Sequence, residues 1–279
     1  MNKPPIQKLT KEELVALQNK GIEIFSDVLK AFEAMGLTYY CVGGTALGAT
    51  KYQGFIPWDD DIDIAMPRKD YMTFLKNGQK HLPNYLYISS CFNERKNFLS
   101  VTKVRDIRTS YFDVETAKYD ICHGIFIDIF PIDGYKGKES IWKKILLGRI
   151  DYSTHKDKPF NLRIRGFVCR LLTMFKTLNG CAKSIERILM RNKIEDCDFV
   201  YTRIMSFDKR IFSTPTKGRF ANLEICLPSK NETYLEICYG DITKDVPTNK
   251  QIPHHFAYLI DTENAYSNYV FKHGRITKK

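Results

Sequence analysis

Four aspartates fall within five positions of "GFIPWDDDIDIAMPR" (Gly54–Arg68): Asp59, Asp60, Asp61 and Asp63, followed directly by Ile64, Ala65 and Met66. Carboxylates this close repel one another and are costly to desolvate beside apolar neighbours. A chain that carries them needs a core strand whose end opens onto positive charge. "DIDIAM" (Asp61–Met66) alternates polar and apolar residues, the period of a half-buried strand. Residues two apart on a strand share a face, so Asp61 and Asp63 are expected to project together while Ile62 and Ile64 enter the core. Asp60 is expected to face away from Asp61, leaving Asp59 and Asp60 to support the turn. A divalent ion between Asp61 and Asp63, Mg²⁺ or Mn²⁺, would answer their repulsion, because hard cations take carboxylate oxygens. The plainer alternative is a solvated Asp-rich turn; the apolar flank weighs against it. The ligand spacing of an EF-hand is absent.

Two other stretches bear on this pair. Asp128 lies alone in the apolar run "GIFIDIF" (Gly124–Phe130) and needs a partner there, which makes it the candidate third carboxylate. Upstream, "CVGGTALGA" (Cys41–Ala49) reads as a strand, a Gly43-Gly44-Thr45 turn and a short helix. Glycines at such a turn let backbone N–H groups at a helix N-terminus approach a phosphate. It is neither a Walker loop nor a GxGxxG fingerprint. A phosphate cradle next to metal-binding carboxylates specifies phosphoryl or nucleotidyl transfer.

Elsewhere, Thr10–Glu13 has the form of a capping box opening a helix that Gly36 stops. "LTYYCV", "YLYISSC", "FLSVTKV", "TSYFDV", "GIFIDIF" and "FANLEICLP" read as strands, and Arg68–Leu75 and Asn231–Tyr239 as helices. The expected fold class is α/β (α+β), a mixed β-sheet core with flanking helices. The expected divisions are a catalytic core over 1–134, a basic helical insertion over 135–216, and C-terminal elements over 217–279 that complete the catalytic domain. Between Tyr135 and Asp196 there are 15 Lys/Arg and 6 Asp/Glu, a net +9 of the chain's +11. That segment is therefore expected to meet a local anionic partner. The basic helices Ser140–Ile150 and Phe160–Met190 suit an anionic membrane surface or a solvated covering face. Nucleic acid is disfavoured, since the aromatics form no stacking platform.

The eight cysteines are scattered without a CxxC pair, which predicts free thiols rather than disulfides or zinc. The polar N-terminus and the lack of an 18-residue apolar stretch predict a cytoplasmic protein, peripheral at the inner membrane face if the basic segment docks there.

The stretch "GGTALGATKYQGFIPWDDDIDIAMPRKDY" (Gly43–Tyr71) closely resembles the signature of the LicD family, whose relatives include fukutin-type ribitol-phosphate transferases. "HGIFIDIFPIDG" (His123–Gly134) and "YLEICYGDITKDVP" with the following His254-His255 agree in order. The resemblance covers about 40–135 and 217–255 and implies a nucleotidyltransferase-like fold. It also implies transfer of phosphocholine, or a related ribitol- or ethanolamine-phosphate, from a CDP-linked donor to a cell-surface glycan, the expected acceptor being lipid-linked. Carried onto this chain, Gly43, Gly44 and Thr45 would hold donor phosphates, Asp61 and Asp63 would bind Mg²⁺, and Asp128 would act as third ligand or general base. Asp59 is the other candidate base. Lys51 stands where Arg is expected, keeping the charge without the bidentate fork. On the residues' own chemistry, Lys103 and Arg105 on the candidate strand "SVTKVRD" would either add charge at the phosphates or be exposed, solubilising strand residues, and Trp58 would either line the nucleotide or head-group pocket or simply pack after Pro57. The later motif implicates Asp241 and His255. Nucleotidyl transfer, glycosyl transfer and a non-catalytic membrane-surface protein are the competing functions.

Overall fold

The computed structural model describes residues 5–99, 101–136, 193–202, 205–247, 251–252, 255–272 and 274–279, with isolated positions between 180 and 190. The two expected basic helices, Cys169, Cys181 and His254 lie outside the described residues, apart from those isolated positions.

The chain opens with α1 (Lys11–Met35). The Thr10 hydroxyl accepts from the Glu13 N–H and the Glu13 carboxylate accepts from the Thr10 N–H, so the capping box is closed on both sides. Gly36 ends the helix at φ 62°, in the left-handed region that favours glycine. The buried face of α1, from Leu17 through Ile24, Phe25 and Val28 to Phe32, joins a core cluster with Ile62, Ile64, Val104 and Ile127. Each such side chain removed from water contributes roughly 1.5–3 kcal/mol before entropy is counted.

Among the described residues seven strands form the principal sheet. Five follow the spatial order β1 (Tyr40–Cys41), β2 (Asp63–Pro67), β6 (Ile125–Tyr135), β4 (Thr102–Asp106), β3 (Leu86–Ser89). The far end of β6 adds β7 (Phe199–Tyr201), which pairs with β8 (Ser206–Asp208). β2 and β6 run parallel and the other pairs are antiparallel, giving a mixed sheet. The chain is thus of mixed α/β class, as the strand and helix signals predict. Two helices leave β1 and β2: α2 (Gly43–Lys51) and α3 (Arg68–Asn77).

β5 (Ser110–Asp113) pairs with β11 (Ala257–Asp261), which brings the C-terminal region against the core. "FANLEICLP" is not one strand. Its first residue ends β9 (Thr216–Phe220) and its middle forms β10 (Leu223–Leu227), a hairpin turned at Ala221-Asn222 with Ala221 at φ 53°. Asn favours such a turn, and that signal outweighs the apolar run around it. The last helix, α4 (Asn231–Tyr239), has the expected bounds, and β12 (Tyr269–Lys272) and β13 (Arg275–Lys278) form a terminal hairpin. Among the described residues six cysteines are free, four of them buried. No described helix is long and apolar enough to cross a membrane.

Candidate active site

Strand register assembles the site. Asp63 of β2 stands directly opposite Asp128 of β6, and Asp128 opposite Lys103 of β4. Asp61 lies just before β2 starts, yet its carboxylate joins the row. One oxygen each from Asp61, Asp63 and Asp128 lies within 4.8 Å of the others. Sequence reasoning anticipates this trio, with one difference of cause. Strand geometry begins only at Asp63, so alternation does not extend back through Asp61 and Asp60.

Asp60 accordingly does not face away from Asp61. Its carboxylate oxygen lies 3.4 Å from His255 Nδ1, while Asp61 lies 3.5 Å from the same nitrogen. Asp60 also lies 3.5 Å from the Tyr111 hydroxyl. Tyr111 lies on β5 and His255 two residues before β11, so the β5–β11 pair brings the two segments together. Sequence reasoning gives Asp60 only a supporting place in the turn and does not single out Tyr111, because their meeting with His255 depends on docking segments far apart in the chain.

The Gly-Gly-Thr turn is packed against the site's own acids. Gly43 opens α2 at φ 57°, and a Cβ there would come within 2.6 Å of an Asp63 carboxylate oxygen. A Cβ on Gly44 would lie 2.3 Å from Asp59 Oδ2. Only glycines let two carboxylates lie so close to the start of this helix, where its dipole favours negative charge. The Thr45 hydroxyl accepts a 2.8 Å hydrogen bond from the Asp63 N–H, and the Tyr234 hydroxyl of α4 accepts one from the Gly43 N–H.

Electrostatics follow from this crowding. Burial pushes the Asp59 carboxyl up to about 7, helped by the charges of Asp61 and Asp60. Burial likewise raises Asp61 to about 6, although the charge of His255 pulls it down. Asp63 is driven well above the usual carboxylate range by burial and by Asp61 and Asp128. Burial would lower His255, but its Asp60 hydrogen bond and the Asp61 charge push it up to about 10. Among the described residues the site thus holds more negative charge than its cations neutralise.

Lys103 is one of those cations. Its ammonium lies 2.6 and 2.8 Å from the two Asp128 oxygens and 3.4 Å from the centre of the Phe126 ring. Both Lys103 and Arg105 are buried, so the alternative of exposed, merely solubilising strand residues does not describe them. Arg105 donates to the Gly124 carbonyl at 2.8 Å, and its guanidinium lies 5.0 Å from the centre of the Phe126 ring.

The remaining candidates lie around this centre. Trp58 is half-buried, edge-on to Tyr52 at 6.4 Å. Lys51, at the end of α2, binds the Lys244 carbonyl at 3.0 Å and Asp245 at 3.3 Å. Asp241 is exposed and bonds Thr243 and Lys244, so the structure does not bring it to the carboxylates.

The family model "LicD/FKTN/FKRP, nucleotidyltransferase domain" matches residues 36–174, a span that includes Asp59, Asp61, Asp63, Lys103 and Asp128. The chain belongs to the LicD family. A relative from Haemophilus influenzae, named lipopolysaccharide cholinephosphotransferase LicD, is 23% identical over 273 residues, covering 91% of this chain and 100% of the relative. An uncharacterized protein of Rickettsia typhi is 28% identical over 130 residues, 46% of this chain and 40% of its own length. A Rickettsia prowazekii counterpart is 26% identical over 133 residues, again 40% of its own length. The LicD match begins just before β1, so it takes in the Gly-Gly-Thr turn and all three carboxylate-bearing segments.

Proposed function

We propose that the chain is a LicD-type transferase. It would move phosphocholine, or a related ribitol- or ethanolamine-phosphate, from a CDP-linked donor to a hydroxyl of a cell-surface glycan. The observation that carries this is the convergence of Asp61, Asp63 and Asp128 beside the Gly-Gly turn, and it is supported by likeness to the cholinephosphotransferase along nearly the whole chain. The donor set fits Mg²⁺ or Mn²⁺: three carboxylate oxygens close together, two of the acids held above their usual pKa by burial and mutual repulsion. Bound there, a divalent ion would neutralise charge developing on the departing CMP.

The chain's own groups supply the other parts. Gly43 and Gly44 hold the start of α2 beside the acids, so its N–H groups lie where donor phosphates would approach. Thr45 fixes the backbone of Asp63. Asp59, raised to about 7, is suited to take the proton of the attacking hydroxyl near neutral pH; Asp128 is the other candidate. Trp58 would offer a π face to a cationic head group. A lipid-linked acceptor would place the enzyme at the inner face of the membrane, with the basic segment toward anionic headgroups.

The test is CMP release from CDP-choline, CDP-ethanolamine, CDP-ribitol and CDP-glycerol with Mg²⁺ and an acceptor extract. Turnover of one donor is expected. Absence of binding and turnover with all four would overturn the proposal, and pyrophosphate release from CTP would favour nucleotidyl transfer instead.

A further inference from the structure

Asp128 serves two claims at once. It is one of the three acids whose oxygens converge, and both its oxygens also accept from the Lys103 ammonium. Asp63, Asp128 and Lys103 stand in one cross-strand row, so the ammonium lies at the edge of the place a divalent ion would occupy. The Lys103 side chain is only 10% exposed and its partner 7%. Two cations on one buried carboxylate repel strongly, and a buried ammonium cannot be left without an anion.

We propose that Lys103 is an exchangeable counter-ion, neutralising Asp128 before the divalent ion binds and passing to the donor's diphosphate once that ion is in place. The inference rests on the metal-dependent diphosphate chemistry proposed above. The flexible lysine stem suits such a transfer, since a guanidinium fork would lock both carboxylate oxygens. Phe126 supports the ammonium along the way: its ring lies 3.4 Å beneath Nζ. Arg105, two residues further along β4, is tied to the Gly124 carbonyl and stays fixed. Metal and diphosphate then bind with positive coupling, because each removes a cost the other would bear.

The experiment measures Mn²⁺ binding to the full chain by electron paramagnetic resonance, with and without inorganic pyrophosphate, corrected for the Mn²⁺–pyrophosphate complex in buffer. Pyrophosphate replaces the CDP donor so that the result does not depend on the nucleoside or head group. Wild type is expected to bind Mn²⁺ more tightly with pyrophosphate. Lys103→Met should bind Mn²⁺ alone about tenfold more tightly than wild type, and should lose most of the pyrophosphate effect. Lys103→Arg keeps the buried charge, guarding against a variant that fails to fold, and should bind Mn²⁺ more weakly than wild type. Mn²⁺ affinity unchanged in both variants, or a pyrophosphate effect undiminished in Lys103→Met, would overturn the exchange while leaving the metal site standing. No Mn²⁺ binding by folded wild type would overturn the metal site and the exchange together.

Discussion

Asp128 and Asp133 sit five residues apart on the same strand, and both are buried. The odd separation turns strand side chains to opposite faces. Asp133 meets Arg68 through two hydrogen bonds of 2.7 and 2.6 Å, and the third edge of that guanidinium binds Glu186 at 2.8 Å. Asp128 receives a single ammonium and shares its surroundings with Asp61 and Asp63. One side of the strand thus matches a carboxylate to a fork shaped for it, while the other gathers carboxylates beyond what its cations neutralise. Geometry on the Asp133 side serves the fold. Crowding on the Asp128 side works against the fold and is sustained only because packing elsewhere over-determines it.

Substitution should separate the two sides. Asp61→Asn and Asp63→Asn are expected to lower CMP release by about a thousandfold or more, the scale of losing a transition-state charge partner. Both should leave the metal-free protein at least as stable as wild type at pH 7.5. The sign follows from the raised folded-state values of Asp59 and Asp61, about 7 and 6. Such groups contribute stability that is fully present below their unfolded value of 3.8 and is lost progressively as pH rises from there through 6 to 7. Thermal melts without metal should therefore fall across that window in wild type and fall less in Asp61→Asn. A destabilised Asp61→Asn with full activity would reverse the assignment of roles. Arg68→Met breaks the matched side, and is expected to cost about 3–5 kcal/mol in denaturant unfolding, the usual result of stranding a buried partner.

The difference in character was only partly legible in the chain. The capping box at Thr10, the stop at Gly36 and the bounds of α4 are local signals, and each forms as local rules predict. The Asp-bearing runs "DIDIAM" and "GIFIDIF" mark the site because an acid in an apolar run has few other uses. Their direct register, Asp63 against Asp128, is a pairing no local rule specifies. His255 reaches Asp60 across 195 residues of chain through the β5–β11 pair. Nothing near Asp60 announces that partner. Lys103 is buried because β4 lies in the interior of the sheet, a placement that no local signal around it specifies.

A third buried ionisable group is tolerated in yet another way, by staying neutral. His123 stacks on Phe112 at 4.6 Å, and burial together with the Arg105 charge pushes it down to about 4. The unfolded imidazole titrates near 6.5, so the unfolded chain binds the extra proton first as pH falls. Stability should drop between about pH 6.5 and 4, by up to about 3 kcal/mol from this group. His123→Phe should flatten that slope, read as the difference between variant and wild-type unfolding free energies across the window. An unchanged slope would mean that the imidazole is charged in the fold.

The smallest expected effect tests how the crowded side is held. Thr45 is buried, and its hydroxyl accepts the Asp63 N–H at 2.8 Å. Thr45→Val keeps the shape and removes the acceptor, leaving a backbone N–H without its partner at a cost of about 1–3 kcal/mol. Thr45→Ser keeps the acceptor and should recover most of that. If Thr45 only packs, the two variants will differ in stability but share one metal affinity. If it orients Asp63, Thr45→Val will also weaken Mn²⁺ binding and Thr45→Ser will restore it. The second outcome is expected, because the carboxylate and the N–H that Thr45 holds belong to the same residue, and a shift of that backbone moves the oxygens that close the trio.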